Sequence, residues 1–151
     1  MSMSHVQLRI LRLPGNDDLP TPARATAEAA GLDLSAAVEA DLTIPQGQIA
    51  MIPCGFAMAL PPGFEGQVRA RSGLASRNGI TPVNAPGTID SDYRGEVKVP
   101  LINLGQADFV VTRGMRIAQL VVARVPSVDV TVVDDLDDTA RGSGGFGHTG
   151  T

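Results

Sequence analysis

The sequence predicts an all-β fold, a jelly roll or distorted β-barrel with one short helix, on three observations. Short runs that alternate polar and apolar residues recur along the chain, each closed by proline or glycine. Glycine (17) and proline (11) are spread through all 151 residues, which cuts the chain into pieces too short for long helices. Hydrophobic residues make up 43% but aromatics only 3%, with no Trp and one Tyr, so the core must be built from Val, Ile, Leu and Ala. That length supports one buried core and one domain.

The elements follow in chain order. Val6 to Ile10 alternates as a strand does, and so, in part, does Gly47 to Leu60, which Pro61-Pro62-Gly63 closes. A weak helical run lies around Ala25 to Ala30 and ends at Gly31. Gly66 to Ala70 predicts a further strand, and Ser72 to Asn78 the one plausible helix. Glu96 to Val99 and Val128 to Val133 alternate again. Beyond Asp134 the chain turns acidic, and from Arg141 to Thr151 it is nearly half glycine. Such a segment has too little apolar surface to order itself, so a domain over 1–138 and a mobile arm over 139–151 are expected. Phe146 and Arg141 stand in that arm without a local packing reason.

The net charge of −4 argues against sequence-independent nucleic-acid binding, which needs clustered Lys and Arg. The single cysteine, Cys54, excludes an internal disulfide and a four-thiolate metal site, and its apolar flanks suggest a packed thiol. The N-terminus alternates instead of forming a signal peptide's apolar run, and no apolar stretch approaches the roughly 18 residues of a membrane span. A soluble chain in a reducing compartment, the cytoplasm, is expected. His5 and His148 give no metal-ligand spacing, so any metal should be a hard ion such as Mg²⁺, held largely by substrate phosphates and water.

Four segments have residue types suited to chemistry. Gly87-Thr88-Ile89-Asp90-Ser91-Asp92-Tyr93-Arg94-Gly95 sets two carboxylates, the one tyrosine and an arginine between glycines. It reads either as a general base beside an aromatic pocket floor or as a hairpin tipped with solvated aspartates. Arg69-Ala70-Arg71-Ser72-Gly73 brings arginines to the start of the helix, where free N–H groups favour phosphate; Ser72 as a simple N-cap is the plainer reading. Gln119 is a lone amide in the apolar run Ile117-Ala118-Gln119-Leu120 and needs partners, from the fold or from a ligand. Gly142 to Gly147 satisfies G-x-G-x-x-G, but only four residues follow, so it cannot open a dinucleotide-binding helix. Its main-chain N–H groups can still wrap an anion, with Arg141 adding charge. Asp33, in Gly31-Leu32-Asp33-Leu34, reads locally as a solvated strand residue.

Taken in order, Ala30 to Leu34, Arg71 to Ala75, Gly87 to Gly95, Arg116 to Leu120 and Arg141 to Gly147 resemble the five motifs of the trimeric dUTP diphosphatases (dUTPases). They span almost the whole chain. Met115, where an acidic residue is common, and His148, where a serine is common, are the departures. The resemblance implies a jelly-roll subunit, a homotrimer with shared sites, and Mg²⁺-dependent hydrolysis of dUTP to dUMP and pyrophosphate. Asp90 would deprotonate the water attacking the α-phosphorus, and Tyr93 would stack under the deoxyribose. Asn84, with main chain at Thr88, Ile89 and Lys98, would meet the uracil edge. Arg71, Ser72, Gly73 and Gln119 would hold the phosphates, and Asp33 would reach Mg²⁺ through water. Phe146 and Gly147 of the arm would close over the nucleotide, with Arg141 on phosphate. The dCTP deaminases, of the same fold, resemble the chain less, because their third motif is expected to use a glutamate. A non-catalytic nucleotide sensor is the rival of another class.

Overall fold

The structure, a computed structural model, describes residues 5–150. The described residues form strands β1 (Arg9–Arg12), β2 (Leu32–Ser35), β3 (Leu42–Ile44), β4 (Ile49–Ala59) and β5 (Phe64–Arg69), then helix α1 (Ser72–Asn78). Strands β6 (Ile80–Pro82), β7 (Gly87–Ile89), β8 (Glu96–Asn103), β9 (Phe109–Val111) and β10 (Arg116–Arg124) follow. They make two four-stranded sheets, ordered β1-β4-β8-β6 and β2-β10-β5-β7, and a small β3-β9 ribbon. Every pairing is antiparallel. The chain is an all-β jelly roll with one short helix, as its sequence predicts.

Both large sheets turn their apolar alternates into one cluster. Leu34, Ile117, Leu120 and Val68 come from one sheet, and Ile52, Met58, Val97, Val99 and Leu101 from the other. The interior is aliphatic, with Phe56 the one buried aromatic ring among the described residues. Cys54 lies within it, and burial, then the nearby charge of Glu96, pushes its thiol up to about 12, so it stays protonated and inert. Among the described residues one polar side chain is wholly buried. Asn103 donates to the carbonyls of Ile44 (2.9 Å) and Ala107 (2.8 Å) and accepts from the Gly105 amide (2.9 Å), which satisfies it.

Helix α1 covers the expected residues, but Arg71, in extended conformation, stands at its N-cap and makes no side-chain cap bond, so Ser72 is not the cap. Gly79 ends it at φ 66°, a left-handed position where only glycine fits without strain. Three expectations need correction. The first strand begins at Arg9 instead of Val6, because its register against β4 (Arg9 opposite Ala59 to Arg12 opposite Phe56) sets it. Residues 25–30 form turns, not a helix. Val128 to Val133 forms no strand, for alternation alone supplies no partner for the backbone N–H and C=O groups.

The entry loop and the turn before β10 are clamped by one guanidinium. Arg113 meets both Asp18 oxygens (2.7 and 2.8 Å), the Gly15 carbonyl (2.9 Å) and the Val38 carbonyl (3.3 Å). The Arg113 hydrogen bond holds Asp18's carboxyl below the ordinary carboxylate range. A depressed folded-state value means stability that is present above the unfolded value and lost as pH falls through the folded one. Asp18→Asn should therefore lower the melting temperature at pH 7, and the gap from the parent chain should close as pH falls below about 4. A gap independent of pH would assign the effect to packing.

Candidate active site

Strand register builds the first group of site residues. β10 lies between β2 and β5, placing Gln119 opposite Asp33 on one side and opposite Arg69 on the other. Because side chains alternate across a strand, these polar groups share the sheet's outer face while Leu34, Leu120 and Val68 point inward. Just past β5 the chain turns into α1, which brings Arg71 beside Asp33. Its Nε lies 3.6 Å from Asp33 Oδ1, and its Nη1 donates to the Arg116 carbonyl at 3.0 Å. Arg116 itself donates to Asp33 Oδ2 at 3.0 Å. One carboxylate thus serves two guanidinium groups.

Gln119 finds a partner for its amide within the fold. Its Nε2 donates to the Ala70 carbonyl at 2.9 Å, pinning the turn that holds Arg71. Gly31 makes room for it, since a Cβ there would strike the Gln119 Oε1. Ser72, exposed, and Gly73, part-buried, open α1 next to this cluster. Two of the expected phosphate-binding segments, Arg71-Ser72-Gly73 and Gln119, are therefore brought together with Asp33.

The second group lies on β7 and the turn after it. Asn84 lies over Gly87, with its Nδ2 3.2 Å from where a Cβ would stand. Val83 donates to the Pro100 carbonyl at 2.8 Å, which lays this turn along β8, the strand that carries Lys98. Lys98 pairs with Glu96 at 3.7 Å. Thr88 is exposed and Ile89 buried, on opposite faces of β7. Asp90 is exposed and lines a cleft of about 920 Å³ with Thr88, Phe64 and Val125. Tyr93 is 45% exposed, and its hydroxyl donates to the Glu96 carbonyl at 2.9 Å, which fixes the ring. Gly95 is required beneath it, because a Cβ would lie 2.6 Å from the Tyr93 Cζ. None of the residues lining the cleft beside Asp90 belongs to the arginine cluster.

The arm residues stand apart from both groups. Arg141 donates to the Gly144 carbonyl at 2.8 Å within its own turn, and Phe146 is fully exposed at φ 49°. Gly147, at φ 83°, follows it. Arg116 was not singled out for a role by the sequence; its signal was a cation opening an otherwise apolar strand. Among the described residues no three His, Cys, Asp or Glu gather as a metal site, and no helix is long and apolar enough to cross a membrane.

The dUTPase family profile matches residues 17–150. A deoxyuridine 5'-triphosphate nucleotidohydrolase of Maricaulis maris is 55% identical over 151 residues, covering 99% of each chain. One from Caulobacter vibrioides is 57% identical over 145 residues, 95% of this chain and 94% of that one. Among solved structures, the dUTPase of Staphylococcus bacteriophage 80alpha with dUPNHPP superposes with a TM-score of 0.86 over 96% of this chain and 99% of that one, at 23% identity. A dUTPase variant of phage phi11 of S. aureus, described with a structural Mg(II) ion, gives 0.76 over 85% of this chain and 97% of that one, at 21% identity. At those identities the two phage proteins show a shared fold.

The single tyrosine gives this site its own reporter, since the chain has no Trp. Gly95→Ala should displace the Tyr93 ring and change its fluorescence while the melting temperature falls by only a few degrees. Unchanged emission would mean that the ring tolerates the added methyl.

Proposed function

This chain belongs to the dUTPase family, and from that premise we propose how its residues hydrolyse dUTP to dUMP and pyrophosphate. The observation that carries the reading is the convergence of Asp33, Arg71 and Gln119, far apart in sequence, on the outer face of one sheet. Two guanidinium groups, a neutral amide and the exposed start of α1 suit a polyphosphate. The hairpin group suits a nucleoside, with Tyr93 as the floor for deoxyribose, leaving no room for a 2′-hydroxyl. Asn84 and the main chain at Thr88, Ile89 and Lys98 offer donors and acceptors for a uracil edge.

Asp90 takes the proton of a water molecule as that oxygen attacks the α-phosphorus. The bond from the α-phosphorus to its bridging oxygen breaks, and the electron pair leaves with pyrophosphate. Phosphoryl transfer asks mainly for position and charge neutralisation, so no covalent intermediate is needed. Mg²⁺ fits the donor set: Asp33 is a hard carboxylate that would reach the ion through water, and a cation that draws its ligands from phosphate and water needs no more from the protein. When bound, it would neutralise charge on the phosphates. Arg71, Ser72, Gly73 and Gln119 hold the phosphates from the other side. The arm, residues 139–151, closes over the site with Phe146 on uracil and with Arg141 and the amide of Gly147 on phosphate, shedding water that would screen these charges.

Two observations support a homotrimer with shared sites. The cleft beside Asp90 is lined by no residue of the arginine cluster. Val128, Val130 and Val132, at alternate positions of a segment that forms no strand, are 73%, 89% and 94% exposed, an unusual row of apolar side chains in solvent. A second copy would cover it. The product dUMP would feed thymidylate synthesis, and removing dUTP would keep uracil out of DNA; a cytoplasmic place suits both roles.

Pyrophosphate release should be fast with dUTP and weak with dTTP, dCTP and UTP, and should require Mg²⁺. Ammonia release from dCTP would favour a deaminase instead. Asp90→Asn should lower kcat by about 10²–10⁴-fold with KM little changed. Ending the chain at Ala140 should leave the melting temperature within a few degrees yet remove most turnover. Full activity in either variant would contradict the role given to that part.

A further inference from the structure

The carboxylate of Asp33 is already committed. It is part-buried, its two oxygens face different guanidinium groups, and the Arg116 pair, at 3.0 Å, is the closer. Arg116 also supplies the carbonyl that accepts from Arg71 Nη1 at 3.0 Å. Arg71, Asp33 and Arg116 therefore close a ring of contacts in which Arg116 touches both other members. Arg116 opens β10, where the register against β2 shifts between Arg116 and Ala118. This irregularity lets Arg116 point to Asp33 while Ile117 and Ala118 both stay buried.

Resting on the reading above, we propose that Arg116 is a positioning residue. Through Asp33 and its own carbonyl, it fixes the Arg71 guanidinium in the orientation that receives a polyphosphate, with or without a metal. An arginine side chain has about 2 kcal/mol of rotamer entropy to lose on binding, and a partner that holds it beforehand removes part of that loss. Asp33 then has a second task besides any contact with a cation, because it is the hinge through which Arg116 acts. Lysine at 116 can keep the charge on Asp33, but as a point donor without the planar fork.

The test is binding of a non-hydrolysable α,β-imido analogue of dUTP, and of dUMP, to the full chain in a chelator, followed by the tyrosine signal. Arg116→Gln should weaken the analogue about tenfold, the scale of one charge-assisted hydrogen bond, and dUMP by no more than about threefold. Arg116→Lys should recover part of the loss. Asp33→Asn should weaken the analogue in chelator as well, and the double variant should be no worse than Asp33→Asn alone, since both changes break one chain of contacts. With Mg²⁺ present, Arg116→Gln should raise KM for dUTP more than it lowers kcat.

Unchanged analogue affinity in Arg116→Gln would overturn the proposal, as would losses that add or losses equal for dUMP and the analogue. If Arg116→Gln does not fold, Arg116→Lys decides alone: it must lose analogue affinity selectively, and no loss or an equal loss overturns the proposal. A parent chain that neither binds the analogue nor hydrolyses dUTP would instead sink the underlying reading.

Discussion

The register of β10 between β2 and β5 is the constraint on which the site depends. It puts Asp33, Gln119 and Arg69 in one row across three strands, although 86 residues separate the first from the second in sequence (119 less 33). A slip of one residue would turn Gln119 into the aliphatic core and Leu120 out of it, which burial forbids. Core packing therefore sets the site's geometry. The same residues that keep Leu34, Leu120 and Val68 dry hold the polar row in place on the other face.

Charge is distributed sparingly around that row. The chain as a whole is acidic, so under the proposed function attraction to a polyanion has to be local, and would come from arginines gathered around one carboxylate. Asp33 keeps those arginines from repelling one another in the free protein, and phosphate oxygens can take over part of its work. The hairpin follows a different economy: the Tyr93 ring is held by one hydroxyl bond and by the absence of a side chain at Gly95. One half of the site is thus organised by ion pairs and the other by space.

Much of this was legible in the sequence, and the reasons are physical. Period-two alternation marked β5 and β8 because each has one face in the core, and marked β4 only in part because Cys54 to Met58 are buried in succession. The three-residue strands β3, β6, β7 and β9 are too short for alternation to register. Val128 to Val133 misled for the opposite reason: its pattern is that of a strand, but within one chain it has no neighbour. At the site, residue types pointed to Asp90, Tyr93 and Arg71, whereas Asp33 read locally as solvated. Its true surroundings come from Arg71 and Arg116, which lie 38 and 83 residues away in sequence and which no local pattern could link to it.

The central claim is that each working site joins the hairpin of one copy to the arginine cluster of another. It is tested most directly by mixing two chains that are each inactive alone, Asp90→Asn and Arg71→Ala, after joint refolding. The account predicts that pyrophosphate release from dUTP returns, because random assembly gives about a quarter of the sites both intact halves. Mixtures that stay as inactive as their components, in assemblies shown to have exchanged subunits, would contradict it and place the whole site within a single chain.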